Sequence, residues 1–121
     1  MLAAGAGVCA QEAGVQRKIL LTEDGPPAFQ TVVNALEFAP GARELKHAHP
    51  GALSGYVLEG TLVFEQEGRP TASYKAGEAF YVEPGKAHLV INSTDAPVKL
   101  IALLVVEKGK PLSSPVPEQG K

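Results

Sequence analysis

Gly41-Ala-Arg-Glu-Leu-Lys-His47-Ala-His49-Pro-Gly-Ala-Leu-Ser-Gly-Tyr-Val-Leu-Glu-Gly60 carries two histidines one residue apart, with glycine and proline on both sides. Successive side chains of a β-strand point to opposite faces, so His47 and His49 share a face, about 7 Å apart along the strand. The third and last histidine, His88, follows a second break at Pro84-Gly85. The whole imidazole complement of the chain can therefore meet at one point, where a metal ion could bridge it.

Working outward, short apolar runs alternate with turn residues. Arg17 to Leu21 is closed by Glu23-Asp24-Gly25-Pro26-Pro27, and Phe29 to Phe38 is rich in β-branched residues and ends at Pro40-Gly41. Leu45 to His49 alternates apolar and histidine positions with Lys46 and Ala48. Leu53 to Leu58 and Thr61 to Gln66 flank Glu59-Gly60 in the manner of a hairpin. Thr71 to Lys75, Ala79 to Val82 and His88 to Asn92 follow, and Val98 to Val106 is the longest apolar run. That last run is apolar on nearly every side, a pattern shared by buried helices and buried strands. Pro97 before it, Gly109 after it and its Val and Ile content predict a strand. About eight or nine strands at this spacing predict an all-β fold, a small antiparallel β-barrel or double-sheet jelly roll.

The 121 residues suit one domain. The expected organisation is the remnant of an export signal over 1–10, a barrel over 11–110, and an extended tail or strap over 111–121. Met1 to Ala10 is small and apolar, and Val8-Cys9-Ala10 before Gln11 suits signal peptidase. A periplasmic or secreted protein is expected on that reading; a functionless tail on a cytoplasmic protein is the alternative. Cys9 is the single cysteine, which excludes an intramolecular disulfide and a cysteine-based zinc site. A net charge of -2 with no basic stripe argues against nucleic acid as a partner. No run approaches the roughly 20 apolar residues of a membrane span.

Gly41, His47, His49 and Gly60 resemble the first motif of the cupin superfamily in residue type and spacing. Gly77, Pro84-Gly85, His88 and Asn92 resemble the second, with one more residue between Gly77 and Pro84 than its commonest form. The resemblance, to small single-domain bacterial cupins, covers Gly41 to Asn92. It implies a conserved barrel, a homodimer, and a divalent transition metal held by His47, His49 and His88. Neutral imidazole suits Fe, Mn, Zn, Ni and Cu alike, so the metal is left open.

The family's first motif usually has a glutamate ligand where this chain has Leu53. If the strand runs on without a bulge, Leu53 shares the inward parity of His47 and His49. Three neutral histidines leave the ion its full charge and open positions, which favours an anionic bidentate substrate. They should also bind metal less tightly than three histidines plus glutamate. Glu59 is expected to be a solvated turn residue and Asn92 a brace for a loop or strand. Tyr56, Phe64, Phe80 and Tyr81 are expected in the core or as surface pairs rather than in the pocket.

Three functions compete. One is a metal-dependent, dioxygenase-type enzyme acting on a small chelating organic substrate. Another is a non-catalytic module that binds a small molecule or metal for sensing or storage. An isomerase or lyase of sugar-acid type is disfavoured, because no inward carboxylate for acid-base work is evident in the sequence.

Overall fold

A computed structural model describes residues 12–117. The export-signal reading of residues 1–10 lies outside the described residues, as does the end of the tail from 118 on. Among the described residues there are ten strands: β1 (Val15–Gly25), β2 (Phe29–Phe38), β3 (His47–Ala48), β4 (Ala52–Glu59), β5 (Thr61–Gln66), β6 (Ala72–Lys75), β7 (Ala79–Val82), β8 (His88–Ile91), β9 (Val98–Glu107) and β10 (Ser114–Pro115). They form two five-stranded sheets with orders β1-β2-β9-β4-β7 and β10-β3-β8-β5-β6. Every pairing is antiparallel, and the fold is the expected jelly roll.

The apolar run after Pro97 is a strand because it can bury one face and expose the other. Val98, Leu100, Ala102, Leu104 and Val106 point inward, while Leu103 and Val105 point out. On β2, Val32, Leu36 and Phe38 join them, and β4 adds Leu53 and Val57. The second sheet contributes Leu62, Phe64 and Val90 to the same core. Complete burial of each such side chain is worth about 1.5–3 kcal/mol. Within this core, the two sheets are held together chiefly by these facing side chains.

β1 is longer than its apolar run. It continues through Glu23 and Asp24 because β2 supplies a backbone partner for every residue but Leu20, where the register shifts, with Glu23 opposite Thr31 and Asp24 opposite Gln30. As an edge strand among the described residues, it tolerates polar side chains on its exposed positions. The tail is also more than a loose extension. Its β10 pairs with β3, Ser114 opposite Ala48 and Pro115 opposite His47, and so straps across the histidine segment.

Candidate metal centre

β3 is only two residues long, yet its position fixes the site. His47 lies directly opposite His88 in the antiparallel β3–β8 pairing. His49 comes just after β3, where Pro50-Gly51 carries the chain from one sheet into the other. Gly51 is needed there: a Cβ at this position would lie 1.8 Å from the Val105 carbonyl oxygen of β9. The Gly85 amide donates to the His49 carbonyl at 2.8 Å, tying the turn before His88 to the end of the His-Ala-His segment. Gly85 has φ of 77°, a left-handed conformation that L side chains rarely adopt. The sheet crossing means that Leu53 does not belong to the histidine strand, contrary to the continuous strand expected from parity. It nevertheless points inward from β4 and lines the cavity, buried and apolar.

The three rings form a compact group, with centroid separations of 4.9 Å for His47–His49, 4.3 Å for His47–His88 and 4.9 Å for His49–His88. One nitrogen of each is committed to a backbone carbonyl. His47 Nδ1 donates to Leu45 O at 2.7 Å, His49 Nδ1 to Leu112 O at 2.8 Å, and His88 Nδ1 to Lys86 O at 2.9 Å. A carbonyl oxygen accepts only, so each Nδ1 carries its hydrogen and each neutral ring keeps a lone pair on Nε2. His49 Nε2 is buried and has no hydrogen-bond partner. Burial pushes the pKa of His49 down to about 4 and that of His88 down to about 3, and the neighbouring His47 pushes both the same way. Both rings are therefore neutral near neutral pH.

This donor set fits a divalent transition metal. Possible ligand atoms of His47, His49 and His88 all lie within 4.8 Å of one another. Two nitrogens about 2.1 Å from one ion are at most about 4.2 Å apart, so small side-chain adjustments suffice. The Nδ1–carbonyl bonds are the outer contacts that orient metal-binding imidazoles. Leu112 O, from the strap, is a partner that the tail's composition gave no reason to expect.

The histidines open onto a cavity of about 570 Å³, with Leu36, Leu53, Phe80, Leu100 and Leu104 among its apolar lining. Phe80 belongs to the core, as expected, and also lines the cavity. The register places Gly55 opposite it, and a Cβ on Gly55 would come within 2.3 Å of the ring. Phe64 stays in the core and packs against Phe80 at 5.0 Å between centroids. Tyr56 and Tyr81 stand exposed on the outer face. Asn92 is the brace it was read as. Its Nδ2 reaches the carbonyls of Phe38, Ala39 and Ala96, and its Oδ1 accepts from the Thr94 amide and hydroxyl. Glu59 is solvated and faces Lys99 at 3.8 Å.

The expectation of no inward carboxylate is overturned. Glu44 is 5% exposed, lines the cavity, and places Oε1 3.9 Å from His47 Nε2. Its Oε2 accepts from Arg17 Nη2 at 3.1 Å, while Glu12, also buried, pairs with the other end of the Arg17 guanidinium. Burial pushes the Glu44 carboxyl above the usual range, against the pull of His47 and Arg17. Residues 44–46 are not extended in a ladder, so strand alternation does not govern them. Leu45, which that alternation would turn inward, is 42% exposed.

Residues 34–106 match the family model for the cupin domain. No functionally curated protein matches the sequence. Among solved structures, a conserved protein with a double-stranded β-helix domain from Klebsiella pneumoniae is similar at a TM-score of 0.73 and 19% identity, over 98% of this chain and 97% of that one. Oxalate oxidase in complex with the substrate analogue glycolate is similar at 0.70 and 21% identity; the match covers 85% of this chain but 55% of the oxidase. A polyketide cyclase from Streptomyces resistomycificus is similar at 0.69 and 22% identity, over 90% of this chain and 75% of the cyclase.

Proposed function

The chain belongs to the cupin family, and from that premise we propose that it holds one divalent transition metal on His47, His49 and His88 and acts as a dioxygenase-type enzyme on a small chelating organic substrate. The observation that carries this reading is the shared tautomer: three buried imidazoles, each with Nδ1 tied to a carbonyl and Nε2 left as a lone-pair donor beside the other two. A metal bound there supplies Lewis acidity and, as Fe, activation of O₂. The protein's part is to orient and exclude. Leu53, Phe80 and Leu104 give an apolar wall that takes the body of a small organic molecule and keeps bulk water from the rings. Oxalate oxidase, with its glycolate complex, lends support by its similar fold around a small chelating anion.

Elemental analysis of purified protein should find about one divalent metal per chain, lost in the double variant His47→Ala, His88→Ala. Metal-free wild type, or unchanged metal content in the variant, would sink the proposal. Oxygen uptake by anaerobically Fe-loaded protein against catechols, diketones and thiols tests the enzyme branch. The cavity also supports a second reading, a non-catalytic small-molecule module. That reading gains if panel compounds bind the metal-loaded protein and none is turned over. The objection to an isomerase or lyase falls with the finding of Glu44.

A further inference from the structure

The Glu44 carboxylate is a built feature. Its backbone amide donates to Val90 O at 3.0 Å, and the Val90 amide donates back to Glu44 Oε1 at 3.0 Å. Both clamps fall on β8, two residues from His88. Arg17 holds the other oxygen. Both carboxylate oxygens thus accept from groups that can only donate, which fixes the orientation of the head group. Removing a carboxylate from water is costly unless nearby charges compensate. Arg17 is shared with Glu12, and its side chain is 36% exposed. A structural ion pair for a half-exposed arginine gives no reason to bury Glu44 against the histidines.

His47 is the ring that this carboxylate faces. Its Nδ1 donates to Leu45 O, which leaves Nε2 as the nitrogen nearest Glu44 Oε1, 3.9 Å away. An ion bound at Nε2 would have Oε1 within its reach. The separation lies within the roughly 4.2 Å that two ligand atoms of one ion can span.

Resting on the three-histidine reading above, we infer that Glu44 is the acidic partner of the metal centre, supplying beside His47 the negative charge that Leu53 does not supply. The carboxylate reaches the site from the segment before the His-Ala-His pair, with Arg17 and Val90 holding it in place. Arg17 is then a positioning residue that acts through Glu44. The centre is less positive than three neutral histidines alone would leave it, so a singly charged chelating ligand matches it better than a dianion.

The test compares Glu44→Gln with Glu12→Gln, each of which removes one carboxylate from Arg17. Affinity for Co²⁺ and Zn²⁺ is read by competition with a chromophoric chelator, and the visible spectrum of the Co²⁺ form is recorded. Circular dichroism confirms folding. Glu44→Gln should weaken binding at least about tenfold and shift the Co²⁺ bands, as loss of a partner of the metal centre does; Glu12→Gln should stay within about threefold with an unchanged spectrum. Equal effects from the two variants, or none from Glu44→Gln, overturn the inference while leaving the histidine site standing. Wild type that binds neither ion overturns both. Should Glu44→Gln fail to fold, Glu44→Asp is read in its place, where withdrawal of the carboxylate by one methylene must still weaken binding and move the Co²⁺ bands.

Discussion

The two sheets of this jelly roll are built on different terms. In the first, β2 and β9 pair without interruption from Phe29 opposite Glu107 to Phe38 opposite Val98, and β9 alternates buried and exposed along its length. In the second, β3 has two residues and β8 four, and their joint register is the single pair His47–His88. The long ladder supplies a rigid apolar wall. The short one supplies the chemistry, and its geometry comes from turns, the β10 strap and side chains bonded to backbone. Stability and metal binding should therefore be separable by substitution, because each belongs mainly to one wall.

The strongest contrast sets His49→Ala against Val57→Ala. His49 sits at the end of the short ladder with an unpartnered buried Nε2, and its loss should weaken metal binding by at least about a hundredfold, more than loss of an outer partner costs. Folding of the metal-free form should survive, since a buried polar atom without a partner goes with it. Val57 is fully buried on β4 and does not line the cavity. Removing its two methyl groups should cost about 2 kcal/mol in urea unfolding and change metal affinity less than threefold. If Val57→Ala disturbs the metal as much as stability, the two walls are mechanically coupled and the separation is lost.

That difference also decides what the sequence could show. The longest strand at the centre of the first sheet was legible from its Val and Ile content between Pro97 and Gly109, although apolar residues on both faces hide the period of two that burial follows in Val98, Leu100, Ala102, Leu104 and Val106. The histidines were legible because of their spacing and the glycines around them. Glu44 was not, since residues 44–46 follow no strand period and its partner Arg17 lies on a distant strand. Phe80 could have been suspected from Gly55, as a glycine inside a strand marks close approach, but only with the β4–β7 register in hand. Nothing in a tail of Pro, Ser and Glu announced that Leu112 would offer its carbonyl to His49.

A second effect separates the walls by pH. In metal-free protein, His49 and His88 titrate at about 4 and about 3 against an ordinary value of 6.5, because burial disfavours the charged ring. The unfolded chain then binds more protons than the folded one between those values, so stability rises with pH. The contribution is complete above about pH 6.5 and is lost progressively as the pH falls to about 3. At about 1.4 kcal/mol per pKa unit it amounts to several kcal/mol at most. Glu44, whose carboxyl is raised, opposes it on the acid side. In the presence of a chelator, the unfolding temperature should drop between pH 7 and pH 4.5, and His88→Gln should flatten the slope. A wild-type unfolding temperature constant over that range would mean that these rings are not held neutral by burial.

The smallest effect belongs to the strap. Leu112 O fixes the tautomer of His49, and the Val116 amide donates to Lys46 O at 3.0 Å, so the strap grips both sides of β3. Leu112 is half-buried, whereas Ser114 and Pro115 of β10 are exposed. Removing residues 112–121 should thus take little stability from a core that β2, β4 and β9 hold together. It should, however, free the His49 ring to turn and to exchange its Nδ1 hydrogen with solvent, and loss of such an outer partner typically costs about ten- to a hundredfold in metal affinity. The lower end is expected here, because one of three imidazoles loses its partner while His47 and His88 keep theirs. Chelator competition on the truncated chain, with a urea midpoint measured alongside, reads both quantities. A truncated protein with unchanged metal affinity would show that the turn tied by Gly85 to the His49 carbonyl suffices to orient the ring, and that the short sheet owes its geometry to the two turns rather than to the strap.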